Sequence, residues 1–98
     1  MNVVVTHNPA DQAFGAKVDG QEIDAELAYS LPAPRVMDFT HTYVSEELRG
    51  QGIAEEMIRY GLDYARENGY QVVATCPMVA HYLSRHPDYQ SLLSGKSA

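Results

Sequence analysis

One short stretch constrains the fold of this chain more than any other. Residues 44–54 follow a strand-like segment, carry two glycines, Gly50 and Gly52, and open directly into the clearest helix of the sequence. Glycine lets the backbone approach a ligand closely, because no Cβ is in the way. The first turn of a helix also leaves N–H groups without partners at the positive end of its dipole. The junction therefore predicts a site for a phosphate or pyrophosphate.

The segments on either side of this junction predict a strand–helix–strand unit. Apolar residues recur at helical spacing after the glycines, at Ala54, Met57, Ile58, Gly61, Leu62 and Ala65. Asn68 and Gly69 predict the C-terminal end of that helix. The strand before the loop, residues 35–44, and the strand after the helix, residues 70–76, are then expected to be parallel neighbours with a right-handed crossover.

Charged residues on the outer face of the predicted helix are expected to pair. Glu55 and Arg59 stand four residues apart, and so do Arg59 and Asp63. Because residues four apart are neighbours on a helix surface, each such pair stabilises the helix by roughly 0.2–0.5 kcal/mol.

The first third of the chain predicts antiparallel strands. Residues 3–5 form a short first strand and residues 14–18 a second, followed by Asp19 and Gly20, which tolerate positive φ in a two-residue hairpin turn. The return strand alternates apolar and polar residues, with its apolar face at Ile23, Ala25, Leu27, Tyr29 and Leu31. The prolines within residues 31–34 are expected to end it.

The strand at residues 35–44 is patterned less simply. One face is predicted to hold Met37, Phe39, His41 and Tyr43. The other face is predicted to hold Val36, Asp38, Thr40, Thr42 and Val44. Apolar residues on both faces predict a central strand that is covered on two sides. A last helix is expected to begin at Pro77, which suits a first helical turn, and to end before Pro87.

Composition excludes several classes of protein. The 98 residues predict a single domain, with residues 94–98 as a frayed tail. No apolar run is long enough to cross a membrane, and the first residues lack the features of a secretory signal. The lone cysteine, Cys76, suits a reducing compartment, so we expect a cytoplasmic location. Potential ligands do not stand at zinc-finger spacing, so we expect no metal.

The net charge of −6 argues against nucleic acid as a partner, because neutralising phosphates needs clustered Lys and Arg. It does not exclude an anionic cofactor. Surface carboxylates are screened over roughly 8 Å at physiological salt, whereas a pyrophosphate on the N–H groups of a helix is in direct contact with them.

The order of these elements resembles the core of the GNAT N-acetyltransferases. The acetyl-CoA loop of that family reads Gln/Arg-x-x-Gly-x-Gly/Ala, and residues 47–52 here read Glu-Leu-Arg-Gly-Gln-Gly. The runs at residues 41–44 and 85–89, together with Cys76, resemble a small GNAT-like subfamily of short chains, and this similarity covers residues 36–93. The resemblance implies an α/β minimal GNAT fold: a mixed antiparallel and parallel twisted sheet with a central βαβ unit and a C-terminal helix.

The resemblance also implies a reaction, the transfer of acetyl from acetyl-CoA to an amine of a small molecule or peptide. The pyrophosphate of the coenzyme would lie on Arg49, Gly50, Gln51, Gly52, Ile53 and Ala54. Its pantetheine would line the strand before the loop, where a backbone N–H near Tyr43 or Val44 would polarise the thioester carbonyl. Two alternatives stay open: a CoA-binding module without turnover and a protein-interaction domain.

Two departures from the family pattern carry expectations of their own. Glu47 stands where the motif prefers Gln or Arg, so we expect its carboxylate to face solvent rather than the phosphates. The chain also lacks the helices that longer family members place after their first strand, where they help to shape the acceptor site.

Four further residues are candidates for the chemistry, each with a structural alternative. Cys76 precedes a helix N-terminus, where a thiol pKa can fall, and is a nucleophile, a site-lining residue or a core residue. His41 is a general base or an internally hydrogen-bonded histidine. Tyr82 protonates the departing thiolate, as the resemblance implies, or packs as a core aromatic. Arg85 contacts CoA or caps the last helix.

Overall fold

The computed structural model describes residues 1–93, so the tail predicted at residues 94–98 lies outside it. The elements in chain order are β1 (Val3–Asn8), β2 (Ala13–Val18), β3 (Gln21–Glu22), β4 (Ala25–Ala33), β5 (Val36–Val44), α1 (Ile53–Glu67), β6 (Gln71–Ala74) and α2 (Pro77–Arg85). Short 3₁₀ turns occupy Pro9–Asp11, Glu46–Leu48 and Pro87–Leu92. Over residues 1–93, neither α1 nor α2 is long and apolar enough to span a bilayer.

The strands form one mixed sheet in the order β1-β2-β4-β5-β6, with β3 paired to β2. All of these pairs are antiparallel except β5 with β6, which are parallel and are connected through α1. The predicted parallel pairing of these two strands, with a helix between them in the chain, is therefore confirmed. β6 is shorter than predicted, because the chain leaves the sheet after Ala74.

Helix α1 packs the predicted apolar face against the sheet. Met57, Ile58, Gly61, Leu62 and Ala65 are buried as predicted, Ala54 is half-buried, and Ile53 is buried in addition. Gly61 is needed for the close approach of α1, because a Cβ there would lie 3.0 Å from the Phe39 ring and 3.1 Å from the Leu27 side chain. Asn68 and Gly69 end the helix, and Gly69 has a φ of 75°. The helix prediction is confirmed at both its face and its end.

The hairpin turn is confirmed, but the return strand is not continuous. Asp19 and Gly20 both have positive φ, at 51° and 82°. The backbone then turns tightly between β3 and β4, where the N–H of Ala25 donates to the carbonyl oxygen of Ile23 over 3.1 Å. The turn was predictable from residue types, whereas the interruption at Ile23 and Asp24 separates β3, which pairs with β2, from β4, which pairs with both β2 and β5.

Two predicted strand ends were wrong. β1 continues to Asn8, because its whole length pairs with β2 up to Ala13. β4 continues through Pro32 to Ala33, because an irregularity between Ser30 and Ala33 takes the proline out of the regular ladder. One consequence is that Leu31 is 43% exposed instead of sharing a buried face with Leu27 and Tyr29.

A β-bulge in β5 overturns the predicted strand faces. Ala28 pairs with His41 and Tyr29 pairs with Phe39, so Thr40 is an extra residue. One extra residue reverses the alternation of side chains beyond it. Met37, Phe39 and Val44 are accordingly buried, while His41 and Tyr43 are exposed. The prediction that His41 and Tyr43 share a face with Met37 and Phe39 was wrong for this reason.

Candidate functional site

A cleft of about 420 Å³ lies where β5 loses its parallel neighbour. β6 pairs only with the first half of β5, up to Phe39, and the N–H of Cys76 donates to the carbonyl oxygen of Phe39 over 2.9 Å. Beyond that point no strand covers this edge of β5 within residues 1–93. The cleft is lined by Thr42, Tyr43, Val44, Leu48, Arg49, Gly50, Gly52, Ile53, Ala54, Glu55 and Met78. Most of the predicted cofactor residues are therefore brought together, whereas Gln51 and Arg85 do not line the cleft.

The backbone of β5 directs one N–H group into this open edge. The N–H of Ser45 donates to the carbonyl oxygen of Asp24 over 2.9 Å, which points it toward the β4 side. In an antiparallel pair the next residue points the other way, so the N–H and C=O of Val44 face away from β4. The carbonyl oxygen of Val44 accepts a hydrogen bond from Arg49 Nε over 2.8 Å. Of the two predicted donors, Val44 is therefore the one that faces the cleft, and the backbone of Tyr43 faces β4.

The glycine loop forms the other end of the cleft. Gly50 and Gly52 both have a φ of 82°, and a Cβ on either would meet no atom within 4 Å. Gly52 is the N-cap residue of α1, so no side chain caps the helix there. The first hydrogen bond of the helix runs from the N–H of Glu56 to the carbonyl oxygen of Gly52. Within residues 1–93 the preceding N–H groups of α1, at residues 53–55, have no backbone partner. These groups, the open space above the glycines and the Arg49 guanidinium fit a bound pyrophosphate.

The charges around the loop differ from prediction at one position. Arg59 pairs with Glu56 over 2.6 Å and with Asp63 over 3.7 Å. The predicted Glu55–Arg59 pair was wrong, because Arg59 meets the carboxylate three residues before it instead of four. Glu55 is left as a carboxylate that lines the cleft. Glu47 is exposed and does not line it, as expected.

Cys76 lies immediately behind the cleft. Its side chain is 5% exposed, it is the N-cap residue of α2, and its Sγ lies 3.3 Å from Thr42 Oγ1. Burial by itself would raise the pKa of this thiol. Hydrogen bonds from the Thr42 hydroxyl and from the backbone N–H groups of Val79, Met78 and Thr42 outweigh burial and lower the pKa below its ordinary value. Because Thr42 and Met78 both line the cleft, Cys76 borders the site.

The other predicted catalytic residues lie outside the lining of the cleft. His41 is exposed beyond the β5 bulge. Tyr82 is buried, its ring stacks on that of His86 at 3.8 Å, and burial raises the pKa of its hydroxyl. Tyr82 and the exposed Arg85 line a second depression of about 350 Å³ between α1 and α2. Across residues 1–93 the Arg85 guanidinium makes no hydrogen bond to a carbonyl at the end of α2.

Comparison with known proteins decides the family. A family model described as GCN5-related N-acetyl-transferase matches residues 13–92. The chain belongs to this family. It is also 29% identical over 83 residues to protein NATD1 of Mus musculus, covering 85% of this chain and 76% of the mouse protein. The resemblance read from the glycine loop is thereby confirmed at the level of the family.

Solved structures agree with this assignment. The fold matches a GCN5-like protein from Staphylococcus aureus, solved by NMR, with a TM-score of 0.72 and 25% identity, over 96% of this chain and 90% of that one. It also matches a ribosomal-protein-alanine N-acetyltransferase from Brucella melitensis, with a TM-score of 0.58 and 28% identity, over 88% of this chain and 63% of that one. These matches confirm the α/β mixed-sheet fold and agree with membership of the GCN5-related N-acetyltransferase family.

Some residues that line this cleft were not found by the sequence reasoning. Thr42, Leu48, Glu55 and Met78 line the cleft but were not among the predicted site residues. Met78 carried a usable signal, since it follows the end of a parallel strand, and the carboxyl ends of parallel neighbours meet at one edge of a sheet. Thr42 carried none, because only the Thr40 bulge turns its side chain toward Cys76.

Proposed function

We propose that this chain transfers the acetyl group of acetyl-CoA to an amine on a small molecule or peptide. One observation supports the proposal above the others: a single cleft connects the N-terminus of α1 to the uncovered edge of β5. The first end offers donors to phosphate, and the second offers a backbone edge to an extended, amide-containing arm. A molecule that carries both groups and a thioester matches that arrangement.

In this proposal the residues at the glycine end bind the coenzyme. The N–H groups of residues 53–55 point outward at the positive end of the α1 dipole, where anions are favoured. Arg49 adds a charge that its hydrogen bond to Val44 holds beside the loop. Gly50 and Gly52 let the phosphates reach the backbone. Gln51 belongs to the same loop but does not line the cleft, so its proposed contact with the coenzyme rests on its place between the two glycines.

The residues at the strand end act on the thioester. When bound, acetyl-CoA supplies an activated acetyl group. The acceptor nitrogen forms a C–N bond to the acyl carbon as the C–S bond breaks, the amine loses a proton and the sulfur gains one. The N–H of Val44 is placed to donate to the acyl oxygen, where negative charge develops during the transfer. Tyr43 supports this edge through its ring, which lies 5.8 Å from the Arg49 guanidinium carbon.

Cys76, His41 and Tyr82 are the proposed groups for proton transfer or for a covalent step. Cys76 is favoured among them, because its Sγ is hydrogen-bonded to the hydroxyl of Thr42, which lines the cleft, and because the pKa of its thiol is lowered. In a covalent route its thiolate would displace CoA from the acyl carbon, and the amine would then displace Cys76. Mixing the protein with acetyl-CoA in the absence of acceptor separates the routes. A covalent route predicts that the unaltered protein rapidly releases CoA and that Cys76→Ser does not. Direct transfer predicts no such release in either protein.

A CoA-binding module without turnover is the second candidate, and one observation favours it. Between β1 and β2 the chain has only the 3₁₀ turn Pro9–Asp11, so no helix of this segment shapes a pocket for the acceptor. A module would bind CoA and release no thiol from acetyl-CoA with any amine.

Two measurements test the proposal. The first follows the amide signals of residues 49–54 during titration with CoA, and we expect these to move before those of β1. The second follows thiol release from acetyl-CoA over a panel of amines. Unmoved loop signals would overturn coenzyme binding and leave the protein-interaction domain, while binding without thiol release would leave the module. A thermal shift gives the same answer about binding, because ligand at 100 times its Kd stabilises by about 2.7 kcal/mol.

A further inference from the structure

The outer edge of β1 presents a row of backbone groups that no strand within residues 1–93 covers. β1 ends the sheet and pairs on one side only, with β2. The N–H of Asp19 donates to the carbonyl oxygen of Asn2 over 2.8 Å, so the even-numbered residues at this end of the chain bond to β2. Alternate residues of an antiparallel strand direct their backbone groups to opposite sides. The N–H and C=O groups of Val3, Val5 and His7 therefore point away from the sheet.

β1 lacks the features that usually keep an edge strand from pairing with another chain, which are charged side chains, proline and bulges. Residues 1–8 contain no charged side chain and no proline. The strand pairs with β2 without a shift in register along its whole length. Burial lowers the pKa of His7, so the strand is uncharged at neutral pH. None of the 13 acidic residues lies in it, and two copies of β1 can approach without direct repulsion between like charges.

The remaining edges of the sheet are used in other ways. At the opposite end, Leu93 forms a parallel bridge to Val72 and so covers part of the edge of β6. The edge of β5 beyond Phe39 forms part of the cleft. Among the edges formed by residues 1–93, that of β1 is thus the one that neither the chain itself nor the proposed coenzyme covers.

Exposed apolar side chains lie on both sides of the β1 edge. Tyr64 of α1 lies edge-on to the ring of His7 at a centroid distance of 4.5 Å, so His7 is on the α1 face of the sheet. Tyr60 is one turn earlier on α1 and is 42% exposed. Val4 is on the opposite face, because neighbouring residues of a strand alternate, and it is 48% exposed. These side chains extend the apolar contact surface beyond the backbone itself.

We infer that two copies of this chain pair through β1, antiparallel, about a twofold axis beside Val5. Val5 then exchanges hydrogen bonds with its own counterpart, and Val3 lies opposite the counterpart of His7. A twofold axis uses each β1 edge once, so the assembly stops at a dimer. A strand edge is narrower than the roughly 800 Å² per partner of a stable interface, so we expect a Kd in the micromolar range.

The cleft of each copy stays open in this dimer. In the sheet order, β2 and β4 separate β1 from β5, the strand that borders the cleft. The inference therefore does not depend on the proposed function, and either can fail without the other.

Sedimentation equilibrium from low micromolar to millimolar concentration tests the inference, and we expect a reversible change from monomer to dimer. Val5→Pro removes an outward N–H and no bond to β2, a position where an edge strand tolerates proline. Because each copy loses one intermolecular hydrogen bond, dimerisation should weaken about 10-fold or more. Circular dichroism establishes that the variant keeps the fold.

A second variant tests the same edge without altering the backbone. Val4→Glu places two carboxylates diagonally across the twofold axis and should weaken dimerisation by about 2- to 5-fold. Leu31→Glu is the matched control. It makes the same change in net charge at an apolar residue of similar exposure, 43% against 48%, but on β4. It should leave the monomer–dimer equilibrium unchanged.

Hydrogen exchange identifies the surface that pairs. The amide of Val5 should exchange rapidly at low concentration and slowly at high concentration, whereas that of Thr6, which bonds to β2, should be protected at both. A dimer with a rapidly exchanging Val5 amide would overturn the inference, and so would equal weakening by Val4→Glu and Leu31→Glu. A monomer at every concentration would also overturn it and would leave this edge to an extended segment of another protein.

Discussion

Arg49 Nε donates a hydrogen bond to the carbonyl oxygen of Val44 over 2.8 Å and so ties the glycine loop to the last residue of β5. This bond satisfies the Val44 carbonyl at an edge that has no neighbouring strand. It leaves the Val44 N–H directed into the cleft and the outer guanidinium nitrogens of Arg49 free for an anion. The two ends of the proposed site are thus held in register by one side chain.

Arg49→Gln should weaken CoA binding by about 10-fold, because a hydrogen bond to a charged group contributes roughly 1.5 kcal/mol or more. Arg49→Lys keeps the charge but loses the Nε bond to Val44, so it should fall between Gln and the unaltered protein. Titration calorimetry of the three proteins checks this order. Equal affinity in all three would show that Arg49 does not contact the phosphates.

Gly52→Val should abolish CoA binding, because its side chain would occupy the open space above the loop. Gly20→Val is a matched control: both glycines have a φ of 82° and neither has an atom within 4 Å of an added Cβ. Each substitution forces a left-handed conformation that costs about 1–2 kcal/mol, so both should lower the denaturation midpoint similarly. Only Gly52→Val should lose the thermal shift with CoA, and loss in both would point to misfolding instead.

Glu55→Gln should tighten CoA binding by about 2- to 5-fold, since it removes a carboxylate from the lining of the cleft without changing the shape of the cleft. The reason is that Arg59 pairs with Glu56 and Asp63 and leaves Glu55 uncompensated. Glu67→Gln, at the opposite end of α1, makes the same change in net charge and should leave affinity unchanged. Weaker binding by Glu55→Gln would show that this carboxylate contacts the ligand favourably.

The Cys76 thiol should titrate below its ordinary pKa, and Thr42→Val should raise that pKa by removing the hydroxyl 3.3 Å from Sγ. The folded state favours the thiolate, so the stability that Cys76 contributes is fully present above its unfolded pKa and is lost as pH falls through the lowered folded value. Thiolate absorbance in the ultraviolet gives the titration, with Cys76→Ser as the blank. An unchanged pKa in Thr42→Val would remove the hydroxyl as a cause.

Tyr89→Phe should lower the free energy of unfolding by about 1 kcal/mol, because the Tyr89 hydroxyl donates to Asp63 Oδ1 over 2.6 Å. Burial first, and then this bond, raise the pKa of Tyr89 to about 12. The raised value means that its stabilisation is complete below pH 10 and is lost as pH rises toward about 12. Urea unfolding checks the first claim, with the exposed Tyr60→Phe as control. Equal effects would show that the Asp63 bond contributes nothing.

Much of the site could be predicted because its signals are local. The positive φ of Asp19 and Gly20, the apolar stripe of α1 and the glycines at its N-terminus all follow from residue types a few positions apart. The same locality explains why the loop residues were found together: a loop that enters a helix carries its own geometry in its sequence.

The sequence by itself determined most of the elements, the parallel strand–helix–strand unit and the glycine junction at the start of α1, since each depends on short-range periodicity and glycine chemistry. Tertiary structure alone decided which side chains meet in the cleft. The Thr40 bulge arises from pairing between β4 and β5, and it directs Thr42 rather than His41 toward Cys76, 34 residues away. No local sequence pattern predicts that Thr42 meets Cys76, because a bulge depends on the register between two strands. One extra residue then moves every side chain beyond it to the opposite face of the sheet.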